Sequence, residues 1–260
     1  MKKIPYFTYL EKKIYYKGND SKGDDAIIFI HGSGEHSFVW DSQIKDLDLD
    51  LNLIAIDLPS HGKSDTIEEL NLDKYVDVVK ELARELRLER IILCGHSLGG
   101  AIAQQYYFTH KDDITGLILC STGAKLRVHP VILENTLHNF DSFLNNIPEG
   151  AFYRKTKKKI KKMYVNEVQK IEPKVVHTDF KICDNFDVID KIDSIKVPCL
   201  IIVGNTDKLT PVKYAEFFDR NIPDSTLEII NNAGHSVMIE NPMRVNNAIK
   251  VFIKNKVCNN

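Results

Sequence analysis

Three side chains of this 260-residue chain are of the types that together activate a serine for attack on a carbonyl: Ser97, Asp207 and His235. A serine hydroxyl is a weak nucleophile at neutral pH and needs a general base, which in turn needs an orienting group. The three occur in the order serine, acid, histidine, each shortly after an apolar, strand-like run. This order predicts that Ser97 is a nucleophile, His235 its base and Asp207 the acid that orients the base.

The sequence around the serine predicts how its hydroxyl is presented. Ser97 lies in G-H-S-L-G at 95–99, between an apolar run at 91–94 and a helix-like segment at 101–106. A serine between two glycines at a strand-to-helix corner is the nucleophile-elbow pattern. The corner is tight, so a Cβ two residues before or after the serine would clash with the neighbouring backbone. The hydroxyl is then expected at the positive end of the following helix.

The base is selected from nine histidines. His235 alone follows both the serine and Asp207 in the chain, which is the order that the elbow pattern requires. His96 competes by proximity, but a neighbour inside the elbow points away from the direction of Ser97. We therefore expect His235 to be the general base.

An oxyanion hole requires backbone N–H groups aimed at the developing negative charge. The amide of Leu98, directly after the serine, is one expected donor. The second is expected from H-G-S-G at 31–34, where glycines let the backbone turn inward. We assign Ser33 as this donor with Gly34 as the alternative, and we expect His31 to brace the loop rather than to catalyse.

Substrate contacts are expected around these groups. The candidates lie in the oxyanion loop, in the elbow, close after the loop, and in the segment that follows residue 123: Gly32, Gly34, His96, Trp40, Phe140 and Phe143. The aromatic members of this set are equally well explained as plain hydrophobic core.

The elements that position these residues follow from hydrophobic patterning. Apolar strand-like runs lie at 26–30, 52–57, 91–94, 115–120, 198–204 and 225–230. Helical patterns lie between or after them at 40–47, 72–88, 101–106, 211–220 and 242–254, and a hairpin at 7–16 precedes them. Alternation of strand and helix predicts an α/β domain with a mainly parallel sheet that is covered by helices on both faces.

The alternation stops between residues 124 and 194. Helices are predicted there at 133–144 and 156–169, separated by Pro-Glu-Gly at 148–150. An insertion at the carboxyl edge of a parallel sheet covers the ligand crevice. We therefore predict an α/β core formed by 1–123 and 195–260 with a helical cap at 124–194.

Composition limits the classes of partner. Thirty-five basic and 36 acidic residues give a net charge of −1, which does not favour a nucleic-acid partner. A lysine-rich run at 155–162 is predicted to be a solvated helix face, or alternatively a surface that attracts anionic partners or a membrane. No apolar run reaches membrane-spanning length, and residues 1–6 do not resemble a signal peptide. We expect a soluble cytoplasmic protein that is a monomer or a homodimer.

The spacing of the cysteines and histidines favours neither disulfides nor a metal site. The five cysteines show no paired spacing, and three of them, Cys94, Cys120 and Cys199, lie in apolar runs. This pattern predicts buried free thiols in a reducing compartment. No His/Cys cluster has metal-ligand spacing, so no metal is expected.

Five short motifs together resemble the α/β-hydrolase superfamily: H-G-S-G at 31–34, D-L-P-S-H-G-K-S at 57–64, G-H-S-L-G-G at 95–100, G-N-T-D at 204–207 and G-H at 234–235. Within it the chain is most similar to small capped serine carboxylesterases and lactonases. The resemblance implies an eight-stranded sheet with an antiparallel second strand, an acyl-enzyme mechanism and no cofactor. The family's alternative position for the acid holds Ser121 and Thr122, which leaves Asp207.

The function expected from these features is hydrolysis of small to medium carboxylic esters. Two alternatives stay open. The H-G-S-G loop is similar to that of meta-cleavage-product (carbon–carbon bond) hydrolases, although those continue with proline and glycine where this chain has Glu35 and His36. A ligand receptor on the same scaffold can also keep an intact triad.

Overall fold

The computed structural model describes residues 5–19 and 23–257. Residues 1–4, which belong to the segment judged unlike a signal peptide, and Cys258 lie outside the described residues. One eight-stranded sheet organises the chain, in the order β1-β2-β4-β3-β5-β6-β7-β8. Its strands are β1 (Tyr6–Tyr9), β2 (Lys12–Gly18), β3 (Asp25–Ile30), β4 (Asn52–Ile56), β5 (Arg90–His96), β6 (Ile114–Cys120), β7 (Cys199–Gly204) and β8 (Ser225–Ile230).

The sheet is parallel except at its beginning. Strand β2 pairs antiparallel with both β1 and β4, and every pair from β4 to β8 is parallel. The predicted mainly parallel eight-stranded sheet with an antiparallel second strand is therefore confirmed. Because β3 and β5–β8 run in the same direction, the loops that follow them all lie at one edge of the sheet.

Strand β3 shows why residues 26–30 are continuously apolar. Successive side chains of a strand point to opposite faces. Ile28 and Ile30 pack into one buried cluster, whereas Ile27 and Phe29 pack into a second cluster on the other face. Both faces of the sheet are thus covered, which requires an apolar residue at every position of a central strand.

The helices are α1 (Asp41–Asp46), α2 (Leu72–Glu85), α3 (Leu98–His110), α4 (Pro130–His138), α5 (Phe140–Gly150), α6 (Lys158–Val168), α7 (Pro173–Asn185), α8 (Val212–Asn221), α9 (Val237–Glu240) and α10 (Pro242–Phe252). A 3₁₀ turn at Ser37–Trp40 precedes α1, where one helix over 40–47 was predicted. Within the part of the chain that the structure describes, no helix combines the length and apolarity needed to cross a membrane.

Helices α4–α7 lie between β6 and β7 and differ from the predicted pair. The predicted helix at 133–144 is divided at Asn139, whose side chain caps α5 by accepting from the amide of Ser142 (3.1 Å). Pro148 does not separate two helices, because it lies near the end of α5. Helix α7 was not predicted, since the buried carboxylate of Asp179 interrupts the apolar side of its sequence pattern.

Four cysteines lie in the interior as free thiols: Cys94, Cys120, Cys183 and Cys199. This agrees with the prediction of buried, unpaired cysteines. Burial raises the pKa of the Cys94 thiol well above its ordinary value, which keeps it protonated and unreactive at neutral pH.

Candidate active site

Ser97 occupies the corner between β5 and α3 with a backbone conformation of φ 52° and ψ −112°. A positive φ is rare for a non-glycine residue and indicates local strain. The flanking glycines explain how the corner is tolerated. A Cβ on Gly95 would lie 2.1 Å from the carbonyl oxygen of Gly99, and a Cβ on Gly99 would lie 2.3 Å from that of Ile30. The strand, tight turn and helix predicted around the serine are therefore present.

Asp207 and His235 meet although 28 positions separate them in the chain. Asp207 follows β7 and His235 follows β8, and the imidazole Nδ1 lies 2.9 Å from the carboxylate Oδ2. The other carboxylate oxygen accepts from the backbone amides of Leu209 and Thr210, both at 2.9 Å. The hydroxyl of Thr210 donates to Oδ2 at 2.8 Å. The acid is thus held by four donors at the carboxyl edge of the sheet.

Burial and pairing shift both groups in the sense that a charged pair requires. Burial lowers the pKa of His235, but attraction to Asp207 and their hydrogen bond outweigh it and raise the pKa above 6.5. Burial raises the pKa of Asp207, yet attraction to His235 and the hydrogen bonds from Thr210 bring it below 3.8. Asp207 is therefore ionised at neutral pH and stabilises the protonated imidazole.

One cavity of about 300 Å³ joins the serine to the histidine. Ser97, His235, Ser33 and His96 form its floor, and Thr210 also lines it. Among residues 5–19 and 23–257, no hydrogen bond within 3.5 Å joins the Ser97 hydroxyl to the imidazole. Such contacts are often longer in ligand-free sites than in complexes.

The walls of the cavity are apolar and come largely from the segment between β6 and β7. They include the side chains of Leu126, Val128, Ile132, Phe143, Ile147, Val168 and Phe180. An apolar cavity beside a nucleophile suits the hydrocarbon part of a small ligand.

The loop at 31–34 is braced by its histidine, as predicted. The Nε2 of His31 accepts from the amide of Leu58 (3.0 Å), and its Nδ1 lies 2.9 Å from the carbonyl oxygen of Gly32. Burial, together with repulsion from His61, lowers the pKa of His31 to about 3. His31 is therefore neutral and positions the backbone.

The two predicted amide donors are available. In the portion of the chain that the structure describes, the amide of Ser33 has no protein acceptor. Leu98 begins α3, so its amide lies in the first turn, where no intrahelical acceptor exists. The alternative donor, the amide of Gly34, is occupied, because it donates to the carboxylate of Asp179 at 2.9 Å.

Four of the predicted substrate contacts lie outside the cavity lining: Gly32, Gly34, Trp40 and Phe140. The expectation for Trp40 is corrected, because its indole is fully buried and packs on Phe29 with ring centroids 5.1 Å apart. Phe140 stacks on Phe143 (5.5 Å), and only Phe143 reaches the cavity. Gly32 and Gly34 provide backbone rather than lining surface.

Sequence reasoning missed the roles of two buried carboxylates near the site, those of Glu35 and Asp179. The Glu35 carboxylate is buried and bonds His96 Nδ1 (2.9 Å) and the hydroxyl of Tyr164 (2.6 Å). Asp179 is also fully buried. Their only signal in the sequence is a charged residue beside the H-G-S-G motif and another in an otherwise amphipathic helix.

Among residues 5–19 and 23–257, no group of three or more His, Cys, Asp or Glu side chains is arranged to hold a metal ion.

Comparison with known proteins identifies the family of the chain. Residues 21–242 match the family model described as "Serine aminopeptidase, S33". The chain belongs to this family of α/β-hydrolases. The solved structure of a thermophilic esterase is 35% identical to this α/β-hydrolase, with a TM-score of 0.86 over 96% of each chain.

Two further comparisons extend the same result. The pimeloyl-[acyl-carrier protein] methyl ester esterase of Wigglesworthia glossinidia brevipalpis is 29% identical, over 89% of this α/β-hydrolase and 95% of that protein. The enol-lactonase from Burkholderia xenovorans LB400 has a TM-score of 0.89, over 96% of this chain and 100% of that one. It is 18% identical and shows a shared fold.

Proposed function

We propose that this α/β-hydrolase cleaves carboxylic esters with small to medium acyl groups through an acyl-enzyme formed on Ser97. The observation that carries the proposal is the hydrogen-bonded pair of His235 and Asp207 on the same cavity as the strained serine. The esterase relatives support an ester as the scissile group.

In the proposed mechanism the Ser97 Oγ attacks the ester carbonyl carbon while His235 Nε2 takes the hydroxyl proton. Asp207 holds the ring through Nδ1 and stabilises the imidazolium that forms. The amides of Ser33 and Leu98 donate to the oxyanion of the tetrahedral intermediate. Collapse breaks the bond to the alkoxy group, which leaves as the alcohol with the proton from His235.

Hydrolysis of the acyl-enzyme repeats these roles with water as the nucleophile. His235 takes a proton from water as the water oxygen adds to the acyl carbon, and the second tetrahedral intermediate then collapses with cleavage of the bond between that carbon and Ser97 Oγ, which receives the proton back from His235. The carboxylic acid is released. The chain's own side chains and backbone amides supply every group that this sequence of steps needs.

We further propose that residues 124–194 act as a cap on a core formed by 1–123 and 195–260. The placement of α4–α7 between β6 and β7 and their contribution to the cavity wall support this division. A cavity of about 300 Å³ with apolar walls favours an acyl or alkyl chain of a few carbons. The buried free thiols support a reducing compartment, and we place the activity in the cytoplasm. A monomeric or homodimeric state stays a prediction.

The test is a panel of p-nitrophenyl esters from acetate to decanoate with the wild type and Ser97→Ala. We expect multiple turnovers by the wild type, a maximum at short to medium chains, and a loss of at least about 1,000-fold in kcat for Ser97→Ala. Release of a single equivalent of p-nitrophenol would instead favour a ligand receptor. Weak ester turnover with rapid cleavage of a dienoic ring-fission product would favour a carbon–carbon bond hydrolase.

A further inference from the structure

Two buried carboxylates hold the backbone on either side of Ser33. Glu35 Oε2 accepts from the amide of Gly32 at 2.7 Å, and Asp179 Oδ2 accepts from the amide of Gly34 at 2.9 Å. Both residues are at most 1% exposed to solvent. The amides before and after Ser33 are thus engaged in charge-assisted hydrogen bonds, which are short and strong, and the amide between them stays available.

The Glu35 carboxylate is paired with a buried imidazole. His96 Nδ1 lies 2.9 Å from Glu35 Oε2, and His96 Nε2 lies 3.1 Å from the carbonyl oxygen of His235. Both partners are acceptors, because Glu35 already receives the amide of Gly32 and the hydroxyl of Tyr164. The buried imidazole therefore ties the Glu35 carboxylate to the backbone carbonyl of the candidate base.

Asp179 repeats this arrangement on the other side of the loop. His61 Nε2 lies 2.9 Å from Asp179 Oδ2, and its Nδ1 lies 2.9 Å from the carbonyl oxygen of Pro59. The hydroxyl of Tyr75 donates to Asp179 Oδ1 at 2.7 Å. Burial lowers the pKa of His61, but attraction to Asp179 outweighs it and raises the pKa above 6.5. His61 and Asp179 therefore form a second buried imidazole–carboxylate pair beside the loop.

Both carboxylates connect the loop to the segment between β6 and β7. Asp179 belongs to α7. Glu35 Oε1 accepts from the hydroxyl of Tyr164, which belongs to α6. Gly34 has φ +65°, and a Cβ there would lie 3.1 Å from Val176 of α7. The loop and these two helices are therefore in direct polar and steric contact.

We propose that Glu35 and Asp179 are positioning residues that aim the Ser33 amide at the oxyanion and make its direction depend on the docked helices α6 and α7. The inference rests on the proposed function, since it needs an oxyanion to be stabilised. It also decides between the two predicted donors, because the amide of Gly34 is already committed to Asp179.

The test compares Glu35→Gln and Asp179→Asn with a matched control, Asp57→Asn. Asp57 is equally buried and accepts from the amides of Ser37 (2.7 Å) and Lys63 (2.8 Å), but it does not bond the amides at 32–34. The substrate is p-nitrophenyl butyrate, and the transition-state probe is an alkyl trifluoromethyl ketone, which places an oxyanion in the hole when serine adds to it.

We expect kcat to fall about 10- to 100-fold in Glu35→Gln and Asp179→Asn with KM within about twofold, because removing an oxyanion donor outright costs about 100- to 1,000-fold. The inhibition constant of the ketone should weaken by the same factor. Asp57→Asn should lower the melting temperature and keep kcat within about twofold. Where a charge-removing variant does not fold, Tyr164→Phe keeps the ion pair and should reduce kcat and ketone affinity together, by about two- to tenfold.

Unchanged kcat and ketone affinity in folded Glu35→Gln and Asp179→Asn, with stability loss alone, would overturn the inference and leave Ser97-dependent hydrolysis intact. Unchanged kcat and ketone affinity in Tyr164→Phe, where that variant replaces an unfolded one, would overturn the inference in the same way. Wild-type turnover by Ser97→Ala would instead overturn the proposed function and this inference together.

Discussion

Replacing Glu35 by glutamine should destabilise the protein in a way that depends on pH. Burial raises the pKa of Glu35, but attraction to His96 and hydrogen bonds from His96, Tyr164 and Gly32 outweigh it and lower the pKa from 4.5 to about 2. A shift of that size corresponds to about 3 kcal/mol of folding free energy at neutral pH. Glutamine keeps the shape of the side chain and removes the charge.

The sign follows from the depressed pKa. The stabilisation by Glu35 is complete well above pH 4.5, where the carboxylate is ionised in both the folded and the unfolded state, and it is lost as the pH falls toward about 2. The difference in free energy of unfolding between wild type and Glu35→Gln should therefore be about 3 kcal/mol at pH 7 and about 1 kcal/mol at pH 3. At neutral pH this corresponds to a melting temperature about 6–12 °C lower.

Urea unfolding followed by fluorescence measures this directly, because Trp40 is the one tryptophan in the sequence and is fully buried. Glu81→Gln is the control, since the pair of Glu81 with the largely exposed Arg84 is a surface ion pair, and its loss should change the free energy of unfolding little at either pH. A free-energy difference for Glu35→Gln that stays constant from pH 7 to pH 3 would refute the buried-ion-pair reasoning.

Three further predictions concern the base, the cavity wall and the elbow. The kcat/KM for p-nitrophenyl butyrate should fall as the pH is lowered through the pKa of His235, which lies above 6.5, because a protonated ring accepts no proton; a flat profile from pH 8.5 to 5.5 would contradict this. Ile147→Phe should narrow the cavity and reduce kcat/KM for the decanoate at least about tenfold more than for the acetate; equal losses on both esters would show that Ile147 does not line the acyl site. Gly95→Ala places a methyl group 2.1 Å from the oxygen of Gly99 and should cost more than about 3 kcal/mol in urea unfolding, or prevent folding. Gly150→Ala has no contact nearer than 4.0 Å and should cost nothing or stabilise by up to about 1 kcal/mol; similar results for the two alanines would count against the steric account of the elbow.

The features that could be predicted from the sequence are those fixed by local patterns. Strands β3, β5 and β7 follow from continuous apolar runs, and the elbow at Ser97 follows from two glycines whose spacing reflects a steric requirement. The pairing of Asp207 with His235 could be predicted because the two residues follow the neighbouring parallel strands β7 and β8. Parallel strands end at the same edge of the sheet, so the residues that follow them lie close together.

The network around the oxyanion loop could not be predicted, because it depends on long-range contacts. Asp179 meets Gly34 across 145 positions, and Glu35 meets Tyr164 across 129. Neither carboxylate belongs to a recognisable motif. Trp40 shows that a position near the loop in sequence does not determine where a side chain points. Its ring packs in the core on Phe29 and does not face the cavity.

The division of the segment between β6 and β7 was only partly predictable. Asn139 ends one helix and caps the next, so a continuous periodic pattern conceals two helices. Pro148 suggested a break, but it lies inside α5, two residues before the helix ends at Gly150, and the helix continues through it without the one hydrogen bond that proline cannot donate. These helices are held by packing on the cavity wall, and tertiary packing overrides local propensity.

The most direct test of the central claim is to identify the residue that a fluorophosphonate labels. Intact-mass spectrometry should show one adduct per chain, peptide mapping should place it on Ser97, and Ser97→Ala should take up none. His235→Ala should slow labelling by at least about 100-fold, because the serine loses its general base. Stoichiometric labelling of Ser97→Ala, or an adduct on a different residue of the wild type, would contradict the assignment of Ser97 as the nucleophile.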